Sequence, residues 1–229
     1  MSRTGGELKP YAAGPDAAGF VLAGGRSSRM GQDKALVPFA GRPLVAYALS
    51  VLRNAGLEAS LAGASSSFAA FAPVVEDCES GRGPLGGICA ALASTTARRA
   101  VFLPVDLPLL PVSLVDYLLH HAEITGRAVT LPSVNGFVQT FPVVVDRAVL
   151  PALEAELASG RGGCFSAFQA AAASLGQPMS VVAVELLVQS GQADHPDCLP
   201  AACWFLNINT VAELRRAEAC CPSRSHRVI

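Results

Sequence analysis

From about Gly19 onward, short apolar runs alternate with longer stretches whose apolar residues recur at helical spacing. The short runs predict strands at Phe20 to Ala23, Ala59 to Ala62, Val74 to Glu76, Ala100 to Val105, Ala128 to Leu131, Phe141 to Val145 and Val181 to Val184. The longer stretches predict helices at Pro43 to Asn54, Leu85 to Ser94, Ser113 to Glu123, Leu150 to Ala158, Ser166 to Ala173 and Thr210 to Ala219. Start and stop signals sharpen several of these. Pro43 suits a first helical turn, Gly56 follows the first helix, and Thr210 precedes Glu213 by three residues, the spacing of a capping box. Strands alternating with helices are the signature of an α/β protein, a doubly wound, three-layer αβα arrangement on a mostly parallel sheet.

Residues 1–17 mix Gly, Pro and polar positions without periodicity, so they are expected to form a leader outside a single domain spanning 18–221, with 222–229 as a tail. No internal repeat is visible. The 229 residues are 51% hydrophobic and only 15% charged, enough apolar surface to offset the entropy of ordering the chain.

A net charge of -1 lacks the basic excess that neutralising a nucleic acid or an anionic membrane requires. A small phosphorylated molecule needs only a few local cations. No apolar run approaches the roughly 20 residues of a membrane-spanning helix, and the N-terminus lacks a secretory pattern, so the expected location is the cytoplasm. Seven cysteines, an odd number with no C-x-x-C pair, read as reduced thiols. Cys198, Cys203 and His195 lack the ligand spacing of a zinc site. His120, His121, His195 and His226 show no triad-like setting and are expected at the surface.

The run from Phe20 to Leu36 begins as a buried strand and turns into a loop rich in Gly, Ser and cations. Glycines let backbone amides approach phosphate oxygens, and Arg26, Arg29 and Lys34 supply positive charge that amides alone lack. The loop fits neither G-x-x-x-x-G-K-[ST] nor G-x-G-x-x-G. A plain glycine turn with solvated charges is the alternative reading of the same residues. Further along, Asp106 directly follows an apolar run, which puts a carboxylate at the C-terminal end of a strand, where open α/β sheets bind ligands. Magnesium takes one or two carboxylates and completes its octahedron with water and phosphate oxygens, so Asp106 is the candidate metal ligand; a turn-forming aspartate is the other reading. The glycines from Gly81 to Gly87 suit either contact with a base edge or a tight strand-to-helix connection. Asn207 and Asn209 suit either support of a metal or a helix N-cap.

The run LAGGRSSRMGQDK from Leu22 to Lys34 resembles the signature L-A-G-G-x-S-x-R-M-G-x-D-K of the molybdenum cofactor guanylyltransferases and their close nucleotidyltransferase relatives. The resemblance continues, in order and spacing, through Gly41 to Leu44, Glu76-Asp77, Gly83 to Gly87, Leu103 to Pro108 and Phe205 to Thr210. It implies a Rossmann-like nucleotidyltransferase fold, magnesium on Asp106, a nucleotide contacted by Leu22, Ala23, Gly24, Gly25, Lys34, Asp77 and Asp106, and catalysis by Lys34, Arg29 and Asp106. It further implies transfer of GMP from GTP to molybdopterin carrying its metal, release of pyrophosphate, and transient contact with cofactor-delivery proteins or molybdoenzymes. Two features depart from the family pattern. Leu61 to Ser65 stands where relatives often carry an asparagine that touches the nucleotide, and near Gly160 to Gly163 only Arg161 remains of the usual basic residues. A cytidylyltransferase or sugar-phosphate nucleotidyltransferase with the same core is therefore the enzyme alternative, and a non-catalytic nucleotide-binding module is the alternative of another class.

Overall fold

The computed structural model describes residues 16–24, 33–76, 82–160 and 163–221. A central sheet runs in the order β10-β7-β9-β6-β1-β4-β5. Its strands are β1 (Ala17–Leu22), β4 (Glu58–Ala62), β5 (Val74–Val75), β6 (Arg99–Pro104), β7 (Val129–Val134), β9 (Val143–Asp146) and β10 (Ser180–Ala183). All seven coincide with predicted strands to within a few residues. β1 pairs parallel with both β4 and β6, whereas β9 runs antiparallel between β6 and β7. Only eight residues separate β7 from β9, too few for the crossover that a parallel pair needs. That short connection includes β8 (Phe137–Val138), a hairpin partner of β7 that the sequence reading did not register. β1 begins at Ala17, inside the stretch read as leader, because Asp16 already bonds across: its carbonyl accepts from Arg99 N (3.0 Å) and its carboxylate from Arg98 N (3.0 Å).

Successive strand residues alternate between two apolar layers, as the pleat requires. Val21, Leu61, Val101 and Leu103 face one side, where α1 (Leu44–Asn54) and α3 (Val112–Thr125) pack on them. Phe20, Leu22, Ala100 and Phe102 face the other, covered by α2 (Gly83–Ser94), α4 (Leu150–Ser159) and α5 (Cys164–Ser174). Phe20 stacks on Phe102, with ring centroids 5.5 Å apart. These are the three layers that the alternation predicts. Pro43 sits at the N-cap of α1, just before the first-turn position read for it, and Gly56 follows with a left-handed φ of 75°.

Other parts of the chain also depart from expectation. The strand read over Val181 to Val184 stops at Ala183, and Val184 opens a short helix, α6 (Val184–Gln189). Pro38–Phe39 (β2) and Arg42–Pro43 (β3) form a small hairpin apart from the main sheet, turning at Ala40 and Gly41, both with positive φ. His195 is 6% exposed and so is not the surface residue expected; its Nδ1 accepts from Asp197 N (3.0 Å), and its ring lies 6.4 Å from that of Trp204. His120 is exposed, His121 is half-buried with Nε2 2.9 Å from Ser180 Oγ, and His226 lies outside the described residues.

A third apolar cluster lies beyond the sheet's edge. Val37, Phe39, Leu44, Tyr47, Leu109, Ile208 and Ala217 are all buried in it. It binds the hairpin, the segment after β6, the start of α1 and α8 (Val211–Ala219) into one block. This block decides where the functional side chains meet.

Candidate functional site

Lys34 is set by a tight turn. The carboxylate of Asp33 accepts from Ala35 N (3.0 Å), capping a single 3₁₀ turn, Lys34–Leu36, whose Ala35 is fully buried. With the turn anchored there, the lysine projects toward the C-terminal end of β6. Asp106 stands two residues beyond that strand, on a segment pinned by Leu107 and Leu109 in the core. Lys34 Nζ donates to Asp106 Oδ2 at 2.5 Å, and the two side chains are 16% and 18% exposed. The expected convergence of lysine and carboxylate on the C-terminal edge of the sheet is therefore present.

Two asparagines complete the cluster. Ile208 N donates to Asp106 O at 3.0 Å, which draws the segment between α7 (Ala201–Trp204) and α8 alongside the end of β6. Ile208 is fully buried, so Asn207 and Asn209 on either side of it are turned toward the polar cleft. Asn209 Oδ1 accepts a short hydrogen bond from Lys34 Nζ. With its amide nitrogen toward Asp106, Asn207 donates to both carboxylate oxygens at 2.8 Å each. The capping alternative does not describe these residues, because the N-cap of α8 is Thr210, whose hydroxyl accepts from Glu213 N (3.2 Å). The visible signal was a buried isoleucine between two asparagines. Its meaning depended on Ile208 reaching the third apolar cluster.

The glycine loop is described only at its start. Ala23 N donates to Ala62 O (3.1 Å), and Leu22 O accepts from Val105 N (3.4 Å), so both residues continue the sheet's bonding beyond β1. The side chains of Leu22 and Ala23 are buried. Gly24 has a specific steric reason to be glycine: a Cβ there would stand 2.5 Å from Gly63 O. Gly63 lies in the Leu61 to Ser65 segment, and its carbonyl leaves no room for a side chain at the start of the glycine loop. Gly25, Arg26, Arg29, Asp77 and Arg161 lie outside the described residues, as does Gly81. Gly83 and Pro84 open α2, with Gly83 at a φ of 67°, which gives the tight connection a backbone reason for its first glycine.

In chemical terms the cleft holds one ammonium group against one carboxylate, with two amides beside them. Among the described residues no group of three or more His, Cys, Asp or Glu could hold a metal ion. The donors at hand are therefore a carboxylate and neutral amide oxygens, the hard oxygen set that suits a divalent cation completing its shell with phosphate and water. A groove of about 510 Å³ lined by Arg42, Tyr47, Asn54, Pro111, His195 and Asp197 lies to one side, and neither Lys34 nor Asp106 lines it.

Residues 19–175 match the model of the MobA-like NTP transferase domain. A molybdenum cofactor guanylyltransferase from Xanthomonas euvesicatoria is 47% identical over 103 residues, a match covering 44% of this chain and 52%, about half, of that relative's length. A probable molybdenum cofactor guanylyltransferase from Haloferax mediterranei is 30% identical over 207 residues, covering 86% of this chain and 91% of the relative. Among solved structures, molybdopterin-guanine dinucleotide biosynthesis protein A from Archaeoglobus fulgidus superposes with a TM-score of 0.72 at 21% identity, over 90% of this chain and 99% of its own. The agreement of fold and matched span places the chain in the MobA-like NTP transferase family.

Proposed function

We infer that the protein transfers GMP from GTP to the terminal phosphate of a molybdopterin cofactor. The observation that carries this reading is the contact of Lys34 with both Asp106 and Asn209 at the C-terminal edge of the sheet. Support for the guanine and the pterin comes from the relatives' names.

In the reaction an oxygen of the acceptor phosphate attacks the α-phosphorus of GTP. A new P–O–P linkage forms, the bond between the α-phosphorus and the bridging oxygen breaks, and pyrophosphate leaves with that electron pair. Such chemistry depends on positioning and charge stabilisation and needs no nucleophilic side chain. Lys34 carries the charge to meet the phosphate oxygens, and Asn209 holds its ammonium group in place. Asp106, with an amide oxygen of Asn207 once that amide turns by 180°, would hold a divalent cation, proposed as Mg²⁺. Bound there, the ion would neutralise triphosphate charge as a Lewis acid. Were that cation bound, Asp106 would engage it and Lys34 would be left to face substrate phosphate. The roles of Arg29, Gly25 and Asp77 in the nucleotide pocket belong to the same proposal.

All described elements attach to one sheet and its flanking clusters, which supports a single domain over 18–221. No helix among the described residues is long and apolar enough to cross a membrane, in keeping with the proposed cytoplasmic location. The test is to incubate the purified protein and Mg²⁺ with GTP, CTP, ATP or UTP and molybdenum-loaded molybdopterin, following pyrophosphate and the dinucleotide product. Turnover with GTP alone is expected. Selective use of CTP, or turnover only with a sugar phosphate, would replace the guanylyl reading.

A further inference from the structure

The helix that follows the asparagine segment begins in an unusual way. In an ordinary capping box the carboxylate three residues into the helix reaches back to the backbone N–H of the N-cap residue itself. Here Glu213 receives the backbone N–H of Thr210 and, beyond it, that of Asn209, whose N donates to Oε2 at 2.8 Å. The same oxygen accepts from the hydroxyl of Thr210 at 3.0 Å, while Thr210 Oγ1 accepts from Glu213 N at 3.2 Å. One donor that Glu213 holds therefore belongs to the residue whose side chain touches Lys34.

Ile208 and Glu213 fix the asparagine from two sides. Burial of Ile208 settles which way the segment faces, and its N–H is tied to Asp106 O. The next peptide is held through its own N–H, which Asn209 donates to Glu213 Oε2. A continuous path results: Glu213 carboxylate, Asn209 backbone, Asn209 amide oxygen, Lys34 ammonium, Asp106 carboxylate. The Glu213 carboxyl is kept below its usual pKa first by the Asn209 N–H and then by the Thr210 hydroxyl, with smaller help from the Thr210 N–H and the charge of Lys34. Glu213 is thus a carboxylate that senses the site's cation without touching it.

We propose that Glu213 is a positioning residue of the triphosphate site, orienting Asn209 so that its amide oxygen steers Lys34 between Asp106 and the nucleotide. This rests on the nucleotidyl-transfer reading above for its ligand. Outer partners that orient directly contacting groups are commonly worth tenfold or more.

The experiment compares Glu213→Ala, Glu213→Gln, Thr210→Ala and Asn209→Ala with the double variant Glu213→Ala/Asn209→Ala. GTP with Mg²⁺ is titrated by calorimetry, melting temperature is followed in parallel, and the side-chain amide resonances of Asn209 are recorded without nucleotide. Glu213→Ala is expected to weaken GTP binding about tenfold and to shift the Asn209 resonances. Glu213→Gln, which keeps an acceptor oxygen, should restore most of both. Thr210→Ala, which removes the cap and one donor to Glu213 Oε2, should lower the melting temperature and cost less GTP affinity than Glu213→Ala. In the double variant the loss should be no greater than in Asn209→Ala alone, since Glu213 acts through that residue. Losses that multiply in the double variant, or a Glu213→Ala protein that binds GTP as the unaltered protein does, would overturn the proposal. If the unaltered protein binds no GTP, the functional reading fails by itself, and the nucleotide-free resonances still decide the positioning role: unmoved Asn209 signals in Glu213→Ala end it.

Discussion

Lys34 Nζ and Asp106 Oδ2 lie 2.5 Å apart although 72 positions separate the residues in the chain. Each is supported from behind by a different element: Lys34 by the turn that Asp33 caps, Asp106 by its backbone bond to Ile208. The pair is largely shielded yet reachable, which suits the proposed exchange of each other for a cation and a triphosphate.

Replacing Asp106 by alanine should lower pyrophosphate release by at least about a hundredfold, the scale on which single charge-stabilising groups act. The fold should persist, because no core side chain is touched. Pyrophosphate production at the normal rate in the folded variant would remove Asp106 from the mechanism.

Lys34→Met keeps the apolar stem and discards the charge. Turnover should fall about a hundredfold while the melting temperature moves by no more than about 3 °C. If the charge acts mainly on the transition state, kcat falls and KM for GTP changes little. Loss of folding without a separate loss of turnover would recast Lys34 as a structural counter-ion to Asp106.

Gly24→Ala tests the close approach of the start of the glycine loop to the Gly63 segment. A methyl group 2.5 Å from Gly63 O forces one backbone to move, at a cost of about 1–3 kcal/mol. A drop of several degrees in thermal melting is the expected reading, and an unchanged melting curve would show that the loop yields freely.

Asp116 on α3 gives a pH signature unrelated to the site. Burial raises its carboxyl from 3.8 to about 6, and its Oδ1 has no hydrogen-bond partner among the described residues. The folded state thus keeps a proton that the unfolded state has released, so stability falls as pH rises from about 4 through about 6 and stays reduced above that. Asp116→Asn should match the original protein near pH 4 and exceed it near pH 8, by about 1 kcal/mol once solvent at this half-buried group is allowed for. Equal melting temperatures across that range would show that the carboxyl is not desolvated in solution.

Much of the architecture was legible in the pattern along the chain. Alternation of apolar runs marked every strand of the main sheet except β8, whose Phe137 and Val138 are exposed and carry no burial signal. Helix limits were good to a few residues because proline, glycine and the Thr210–Glu213 cap act locally. Lys34 and Asp106 could be singled out because each stands at the end of a strand-like run, and elementary α/β geometry brings such ends to one edge.

The partnership of Asn207 and Asn209 with that pair was a different matter. Whether they capped a helix or faced the cleft depended on where Ile208 found a buried place, and that place is built from Val37, Phe39, Leu44 and Leu109, from three other parts of the chain. His195 likewise is buried, its ring 6.4 Å from that of Trp204, a contact that no local pattern marks. Periodicity along a sequence records which residues avoid water and how often they recur. The order of strands, the reversal of β9 and the meeting of side chains far apart in sequence arise from contacts between segments, and those were decided only when the chain packed.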